Sequence, residues 1–177
     1  MSPHRLYLVR HGEAAAGWGD DVDPRLSDTG RAQAEAMAAA LAERGPLPVV
    51  VSPLRRTRET AAALERAWGT TARVDPAVGE IPSPTDDLAG RMSWLGSILP
   101  MPMQAWPADL QSWRRSIVDA LLALEEDTVV VTHFVAIRSV VDDDAFQPDY
   151  CSITTVDSAD GCLTPVELGA QRATVIR

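Results

Sequence analysis

Two histidines and a group of arginines are the residues of this sequence best suited to chemistry on an anionic group. His11 ends the apolar run LYLVRH beside Arg10, and His133 ends a second apolar run, VVVTH. A neutral imidazole can act as a nucleophile, and a guanidinium binds anionic oxygens. Ligand sites of open α/β sheets form outside the carboxyl ends of the strands, so both imidazoles should face one crevice if the two strands are neighbours. Either histidine alone could instead be a hydrogen-bonded packing residue.

A third candidate group lies at the start of a predicted helix, in the segment SPLRRTRETA at residues 52–61. Arg55, Arg56 and Arg58 fall in its first turns, where the helix dipole disfavours cations. Their clustering indicates an anion at that end, which free backbone N–H groups would help to hold. A solvated arginine face paired with glutamates is the alternative, and periodicity does not choose among the three arginines.

Together these residues predict a phosphate or carboxylate pocket that contains a nucleophile. A zinc site is the competing use of two histidines. It lacks a third ligand at suitable spacing, and the arginines would repel a metal cation. No metal or other cofactor is therefore expected.

The elements that position these residues alternate along the chain, which predicts an α/β layered fold. Continuous apolar runs at 5–10, 47–52 and 127–132 are typical of central strands covered on both faces. Ser27 is expected to cap the first helix, and Ser52-Pro53 is expected to start the second. The other predicted strands are 71–74, 152–157 and 162–168, and the predicted helices are 27–44, 53–68, 104–125 and 134–144.

Two segments fall outside this alternation. Residues 12–26 form a loop of a length that usually serves a function. Residues 76–107 hold six of the thirteen prolines, which predicts an irregular excursion at about 81–113 within one domain of residues 1–177. Tryptophans and methionines in this excursion could cap the pocket, pack on the body as a satellite cluster, or form an oligomer contact.

Composition and charge limit the possible partners. The chain has 177 residues, is 46% hydrophobic and carries a formal net charge of −9, which favours a globular fold and argues against nucleic acid. Membrane spans need about 20 apolar residues, and neither such a run nor a signal-peptide pattern is present. Cys151 and Cys162 should lie at opposite ends of a hairpin, too far apart to bridge. A reduced, cytoplasmic protein is expected.

The motifs LVRHGEA, SPLRRTRETA and VVVTHFVAIR, with RLSDTGRAQA at residues 25–34, resemble the histidine phosphatase superfamily, also called the phosphoglycerate-mutase-like family. The likeness covers nearly the whole chain. It implies a three-layer α/β/α fold with a mixed, largely parallel central sheet. It favours a phosphatase over a mutase, because the stretch after Glu80 lacks the G-x-x-E-G pattern common in mutases, and the long insertion and tail of mutases are missing.

The resemblance also implies a role for each candidate residue. His11 would be the nucleophile that forms a phosphohistidine. Arg10 and Arg56 would bind phosphoryl oxygens, and His133 would complete the pocket and stabilise the transferring group. Glu80, in DPAVGEIPSP, aligns with the general acid of many members. Burial beside IPSP would raise its pKa as that role requires, and a surface carboxylate is the alternative.

One departure from the family pattern follows the second histidine. Many members have two glycines there, whereas this chain has Phe134 and Val135, whose bulk should narrow the pocket floor or change how the backbone approaches phosphate. The expected function is a metal-independent phosphomonoesterase, a hydrolase acting on a small phosphorylated substrate. A non-catalytic phosphate-binding or regulatory module and a protein-phosphohistidine phosphatase are the alternatives.

Overall fold

The alternating elements build a six-stranded sheet in the computed structural model, which describes residues 3–17 and 19–172. None of the helices in these two ranges is long and apolar enough to cross a membrane. The strands, β1 to β6 in chain order, are His4–Arg10, Val49–Val51, Arg73–Val74, Thr128–Thr132, Ile153–Ala159 and Cys162–Glu167. The helices, α1 to α5, are Asp28–Leu41, Arg55–Trp68, Leu88–Ile98, Ala108–Leu122 and Phe134–Val141.

The sheet order β3-β2-β4-β1-β5-β6 places the two strands that precede the histidines side by side. β1 runs parallel to β4, with Arg10 opposite Thr132, and β2 and β3 continue the parallel part. β5 and β6 are antiparallel additions at the other edge. The predicted mixed, largely parallel sheet and the neighbouring positions of the two strands are confirmed.

Both faces of the central strands are buried, because successive side chains of a strand point to opposite faces. Val9, Val51 and Val131 belong to an apolar layer shared with α1 and α2. Leu8 and Val130, among others, belong to a second layer shared with α4 and α5. The sheet is therefore the middle of three layers, as the continuous apolar runs predict.

The loop after β1 is packed tightly against the start of α1. Ser27 caps α1 as predicted, since its Oγ accepts a hydrogen bond from the Gly30 N–H at 2.9 Å. The same hydroxyl donates to Glu13 Oε1 at 2.7 Å. A Cβ at Gly12 would lie 2.5 Å from the Gly30 carbonyl oxygen, so only glycine allows this approach. The loop that carries His11 is held rigidly by these contacts.

Helix α2 begins two residues later than predicted, and Ser52 does not cap it. The residue before the helix is Leu54, which makes no side-chain cap. The Arg55 N–H at the helix start instead donates to Asp23 Oδ1 at 2.7 Å, from the loop at 12–26. The Ser-Pro pair predicted a cap from a residue next to the helix, because a sequence pattern shows only chain neighbours. In the structure the side chain that accepts from the helix start is the distant carboxylate of Asp23.

The proline-rich segment predicted to be irregular contains helix α3, which Asp87 caps by accepting from the Gly90 N–H at 2.6 Å. Glycines and serines within α3 weaken its helical pattern, which explains why the sequence does not predict it. The segment forms its own apolar cluster, which includes Val135 of α5 and so anchors the segment to the body. The buried members are Ile81, Leu95, Ile98, Met103, Trp106, Leu110 and Val135.

The β5–β6 hairpin turns at Asp160 and Gly161, whose φ angles of 52° and 74° suit a two-residue turn. Cys162 is exposed next to this turn, and Cys151 is buried at the far end of the hairpin. Both are free thiols, as predicted.

Candidate active site

The five side chains predicted from the sequence meet at the carboxyl edge of the parallel strands. His11 follows β1 and His133 follows β4, and the His11 N–H donates to the Thr132 carbonyl oxygen at 3.0 Å, one step beyond the strand pairing. The two imidazole centroids are 5.3 Å apart. The side chains brought together and buried are those of Arg10, His11, Arg56, Glu80 and His133.

His11 is held as a neutral imidazole, with a hydrogen bond at each ring nitrogen. Its Nδ1 lies 2.7 Å from the carbonyl oxygen of Gly12, to which it donates, and its Nε2 accepts from Arg56 Nε at 3.3 Å. Burial, together with the charges of His133, Arg56 and Arg10, holds the pKa of His11 well below its ordinary value of 6.5. A neutral ring that is protonated on Nδ1 leaves a lone pair on Nε2 for nucleophilic attack.

Arg56 and Glu80 form a buried ion pair that His133 contacts. Glu80 Oε2 lies 3.0 Å from Arg56 Nη2 and 3.3 Å from His133 Nδ1. Burial acts to raise the pKa of Glu80, but the charge and hydrogen bonding of His133 and the charge of Arg56 outweigh it and lower that pKa well below its usual range. The surface interpretation of Glu80 is wrong, and so is the expectation of a raised pKa in the unliganded site.

Glu80 reaches the histidines because its loop is fixed across the end of β4. Thr132 Oγ1 donates to the Val78 carbonyl oxygen at 2.6 Å. Val78 and Ile81, on either side of Glu80, are both buried. The Ile81 N–H donates to Glu80 Oε1 at 3.1 Å, so one carboxylate oxygen is held by backbone and the other faces Arg56 and His133.

Ser52 is a site residue that the sequence does not reveal. Its fully buried Oγ lies 2.7 Å from His133 Nε2. With Glu80 at Nδ1, the hydroxyl contacts the second ring nitrogen, so His133 is oriented from both sides. Ser52 directly follows β2 at the edge where β1 and β4 also end, and that position is the one signal that could have identified it.

The structure separates the three arginines at the start of α2. Arg56 is buried at 2% exposure in the site, whereas Arg55 and Arg58 are exposed. Arg55 pairs with Glu59 at 2.8 Å, as the solvated-face alternative predicts for that residue. Asp23 Oδ1 lies 3.9 Å from Arg56 Nη1, so the loop at 12–26 also reaches the site.

Arg10 has a different kind of environment. Its Nη1 donates to the Pro148 carbonyl oxygen at 2.9 Å. Its Cζ lies 3.9 Å from the centroid of the Tyr150 ring and 5.2 Å from that of Phe134. Burial lowers the pKa of Arg10 from its ordinary value. These aromatic contacts come from distant segments and have no signal in the sequence.

Comparison with known sequences shows which family shares these residues. The profile of the histidine phosphatase superfamily (branch 1) matches residues 6–176. A glucosyl-3-phosphoglycerate phosphatase of Mycobacterium tuberculosis is 39% identical over 84 residues, which are 45% of this chain and 38% of that protein. A probable phosphoglycerate mutase of Erwinia tasmaniensis is 29% identical over 119 residues, covering 65% and 50% of the two chains. The matches thus span half or less of these relatives.

Solved structures give the same answer for the fold. A structure described as mycobacterial hydrolase 1 aligns with a TM-score of 0.77 at 22% identity, covering 97% of this chain and 100% of that one. Phosphoserine phosphatase from Entamoeba histolytica, in complex with 3-phosphoglyceric acid, aligns with a TM-score of 0.70 at 22% identity, covering 96% and 98%. With a profile match along nearly its whole length, the chain belongs to the histidine phosphatase superfamily.

Proposed function

We propose that this chain is a metal-independent phosphatase that hydrolyses a small phosphomonoester through a phosphohistidine on His11. The observation that carries the proposal is the state of His11, which is buried and neutral and has its Nε2 lone pair beside the Arg56 guanidinium. A second imidazole, a carboxylate and Arg10 surround it. This set can bind a dianion, attack its phosphorus and exchange a proton with the leaving group.

In the first step, Arg56 Nε transfers its hydrogen bond from His11 Nε2 to a phosphoryl oxygen. The freed Nε2 lone pair attacks phosphorus, and the bond from phosphorus to the ester oxygen breaks. The leaving oxygen takes a proton from Glu80. Arg10, Arg56 and His133 offset the charge on the equatorial oxygens, and the fixed in-line geometry supplies the rest of the catalysis. The Gly12 carbonyl oxygen, 2.7 Å from His11 Nδ1, stabilises the positive charge that the ring acquires.

Glu80 is ionised in the unliganded site, so it must gain its proton when the substrate binds. A phosphate dianion would draw Arg56 and His133 to itself and repel the carboxylate, and both effects raise the pKa of Glu80. We therefore expect proton uptake when phosphate binds at a pH where it is already a dianion. Calorimetry in buffers of different ionisation enthalpy measures this uptake. Glu80→Gln should abolish it, and binding without uptake would contradict the role of Glu80.

In the second step, a water molecule attacks the phosphorus of the phosphohistidine. The ionised Glu80 carboxylate accepts a proton from this water, and the bond from phosphorus to nitrogen breaks. The electron pair returns to His11 Nε2, and phosphate leaves. As phosphate leaves, Glu80 releases the proton that it took up on substrate binding. The sum is hydrolysis of an ester to an alcohol and phosphate, with the enzyme regenerated.

The test is turnover of an aryl phosphate in the presence of a chelator, with rapid-quench trapping of an acid-labile, base-stable phosphoenzyme. His11→Ala should abolish both signals, and His4→Ala, outside the site, should keep them. Full activity in His11→Ala would contradict the proposal, and loss of activity in chelator would contradict metal independence. Phosphate binding without turnover of a broad substrate panel would favour a non-catalytic module. Preferential hydrolysis of phosphorylated histidine in proteins would favour a protein-phosphohistidine phosphatase.

The location that we propose for the chain is the cytoplasm. It is supported by the two free thiols, one of them exposed at Cys162, because reducing compartments keep cysteines in that state. Fractionation of cells that express the full chain tests this, and recovery in an exported fraction would contradict it.

A further inference from the structure

Arg10 is buried without the carboxylate partner that a buried cation usually has. The residue is 9% exposed, and no described carboxylate lies within the 4.0 Å ion-pair distance of its guanidinium. Within residues 3–17 and 19–172, its Nη1 bonds the Pro148 carbonyl oxygen, while its Nε is buried with no hydrogen-bond partner. Burial of a charge in this state is unfavourable, so other contacts must hold the side chain.

Two aromatic rings supply those contacts. The Arg10 Cζ lies 3.9 Å from the ring centroid of Tyr150 and 5.2 Å from that of Phe134, within the range of a cation–π interaction. Phe134 is itself held from another side by Arg138, whose Cζ is 5.3 Å from its centroid and whose Nη2 donates to the Asp144 carbonyl oxygen. Tyr150 has a second arginine of its own, Arg172, whose Cζ is 5.1 Å from its centroid. Each ring is therefore held from a side other than that of Arg10.

Both rings are attached to backbone that is anchored beside Arg10. Phe134 is the first residue of α5 and directly follows His133. Tyr150 precedes Cys151, whose N–H donates to the Arg10 carbonyl oxygen at 3.0 Å and whose φ of 54° turns the chain into β5. The backbone of each ring is thus fixed next to a strand end, one beside β4 and the other beside β1.

An aromatic ring and a carboxylate hold an arginine with different consequences. A carboxylate neutralises the charge that it holds, whereas the ring face attracts the cation through its quadrupole and leaves the formal charge in place. A guanidinium held by rings is both restrained and fully charged, which is the state that best binds a dianion.

We propose that Phe134 and Tyr150 are positioning residues that clamp the Arg10 guanidinium in the orientation in which it binds the phosphoryl group. The proposal rests on the proposed function, since it takes Arg10 as a phosphate ligand. It assigns a purpose to the bulky residue after the second histidine. The aromatic face of Phe134 replaces a carboxylate as the support of Arg10.

The first experiment measures the Kd of inorganic phosphate by calorimetry, with kcat and KM for an aryl phosphate. Phe134→Leu keeps an apolar side chain and removes the ring, and we expect about fivefold weaker phosphate binding with a matching rise in KM. Phe134→Tyr should stay within about twofold of the wild type, because it keeps the ring face. Tyr150→Leu should have the larger effect, because its ring is nearer to Arg10.

A double-mutant cycle tests whether Phe134 acts through Arg10. In the Arg10→Met background, Phe134→Leu should cause no further loss of phosphate affinity. Phe146→Leu is the matched control. Phe146 is an aromatic residue of the core at 1% exposure, so its substitution should lower the melting temperature and leave the phosphate Kd unchanged.

Three results would overturn the clamp. The first is an unchanged phosphate Kd in Phe134→Leu, and the second is a Phe134→Leu effect on phosphate affinity that is equally large in the wild-type and Arg10→Met backgrounds. The third is a loss of phosphate affinity in Phe146→Leu equal to that in Phe134→Leu. Wild-type protein that binds no phosphate would remove the proposed function and the clamp with it. Wild-type binding that Phe134→Leu and Tyr150→Leu leave intact would remove the clamp alone, so the two failures are distinguishable.

Discussion

Arg56 and Arg10 lie in the same buried site, but their partners differ in chemistry. Arg56 is 2% exposed and contacts Glu80 at 3.0 Å and the His11 Nε2 at 3.3 Å. Arg10 contacts the ring of Tyr150 and a backbone carbonyl oxygen. One side of the site therefore contains groups that exchange protons, and the other contains a cation whose charge has no close carboxylate to neutralise it.

This difference shows how a chain of net charge −9 can build an anion site. If carboxylates held both arginines, the pocket would offer a dianion little net attraction. If rings held both, the site would lack a group to protonate the leaving oxygen. The division between the Arg56 side and the Arg10 side gives both functions, and it can be tested by removing one side at a time.

The largest effect is expected from Arg56→Met. Loss of one fixed cation at the transferring group should lower kcat/KM for an aryl phosphate by about 10³-fold. Glu80 also loses a charged hydrogen-bond partner, so the free energy of unfolding should fall by about 2 kcal/mol. Steady-state kinetics and urea unfolding measure the two changes. Arg58→Met, an exposed position on the same helix, is the control and should change neither quantity.

Arg10→Met is the matching substitution on the other side of the site, and its effect on stability should differ from that of Arg56→Met. Activity should fall by about 10²-fold, because a phosphate ligand is lost. The unliganded protein should keep its free energy of unfolding within about 1 kcal/mol, since a buried charge without a carboxylate partner is removed and no carboxylate is left unpaired. Equal destabilisation by Arg10→Met and Arg56→Met would contradict the comparison.

The next prediction concerns the proton that Glu80, on the Arg56 side, gives to the leaving oxygen. Glu80→Gln should lower kcat by about 10²-fold for an alkyl phosphate, whose leaving oxygen needs a proton. It should lower kcat much less for a nitrophenyl phosphate, whose leaving group departs as an anion. Glu35→Gln, an exposed carboxylate paired with Arg66, is the control. The same loss for both substrates would assign Glu80 a structural role only.

The parts of this site that sequence reasoning could predict are those fixed by chain-local pattern and sheet geometry. His11 and His133 each end a continuous apolar run, and parallel strands bring such ends to one edge, so their meeting follows from topology. Arg10 adjoins His11 in the chain. Arg56 could not be chosen from its neighbours by periodicity, and only the family resemblance selected it.

The parts that could not be predicted depend on contacts between distant segments. Ser52 has the sequence context of a helix cap, and its role at His133 comes from the order of strands in the sheet. Tyr150 lies 140 residues from Arg10 and reaches it through the antiparallel pairing of β5 with β1. The pKa of Glu80 was the least predictable property, because desolvation and neighbouring charges act on it in opposite directions and only coordinates decide between them.

A smaller effect is expected from Ser52→Ala, which removes the hydroxyl 2.7 Å from His133 Nε2. Glu80 still contacts the other ring nitrogen, so His133 should lose orientation but keep its place. We expect kcat to fall by about fivefold to tenfold, equivalent to one hydrogen bond. Ser139→Ala, a buried serine of α5 away from the reacting groups, is the control. A similar loss of kcat in both variants would assign Ser52 to packing.

A smaller effect of His11 is expected in the pH dependence of the free energy of unfolding. Its pKa in the folded protein is lowered, so the unfolded chain takes up a proton first as the pH falls through the ordinary value of 6.5. The free energy of unfolding should therefore decline below that pH, and His11→Gln should decline less steeply. Urea unfolding at a series of pH values measures the slopes. Arg56 and Arg10 both lower the pKa of His11, so the loss of stability just below pH 6.5 reports on both sides of the site together.

The titration of Glu80 should dominate the loss of stability at lower pH, and it reports chiefly on the Arg56 side, where the close cation partner of Glu80 lies. Its folded pKa is lowered from 4.5, so its ionised form contributes stability that is fully present above that pH. As the pH falls below 4.5 towards the folded pKa, the unfolded chain binds the proton first and this stability is lost. Glu80→Gln and Arg56→Met should both flatten this part of the curve, and Arg10→Met, whose charge acts on Glu80 from beyond ion-pair distance, should flatten it less. A flattening by Arg10→Met equal to that by Arg56→Met would show that the two arginines share Glu80, which would remove the distinction between the two sides.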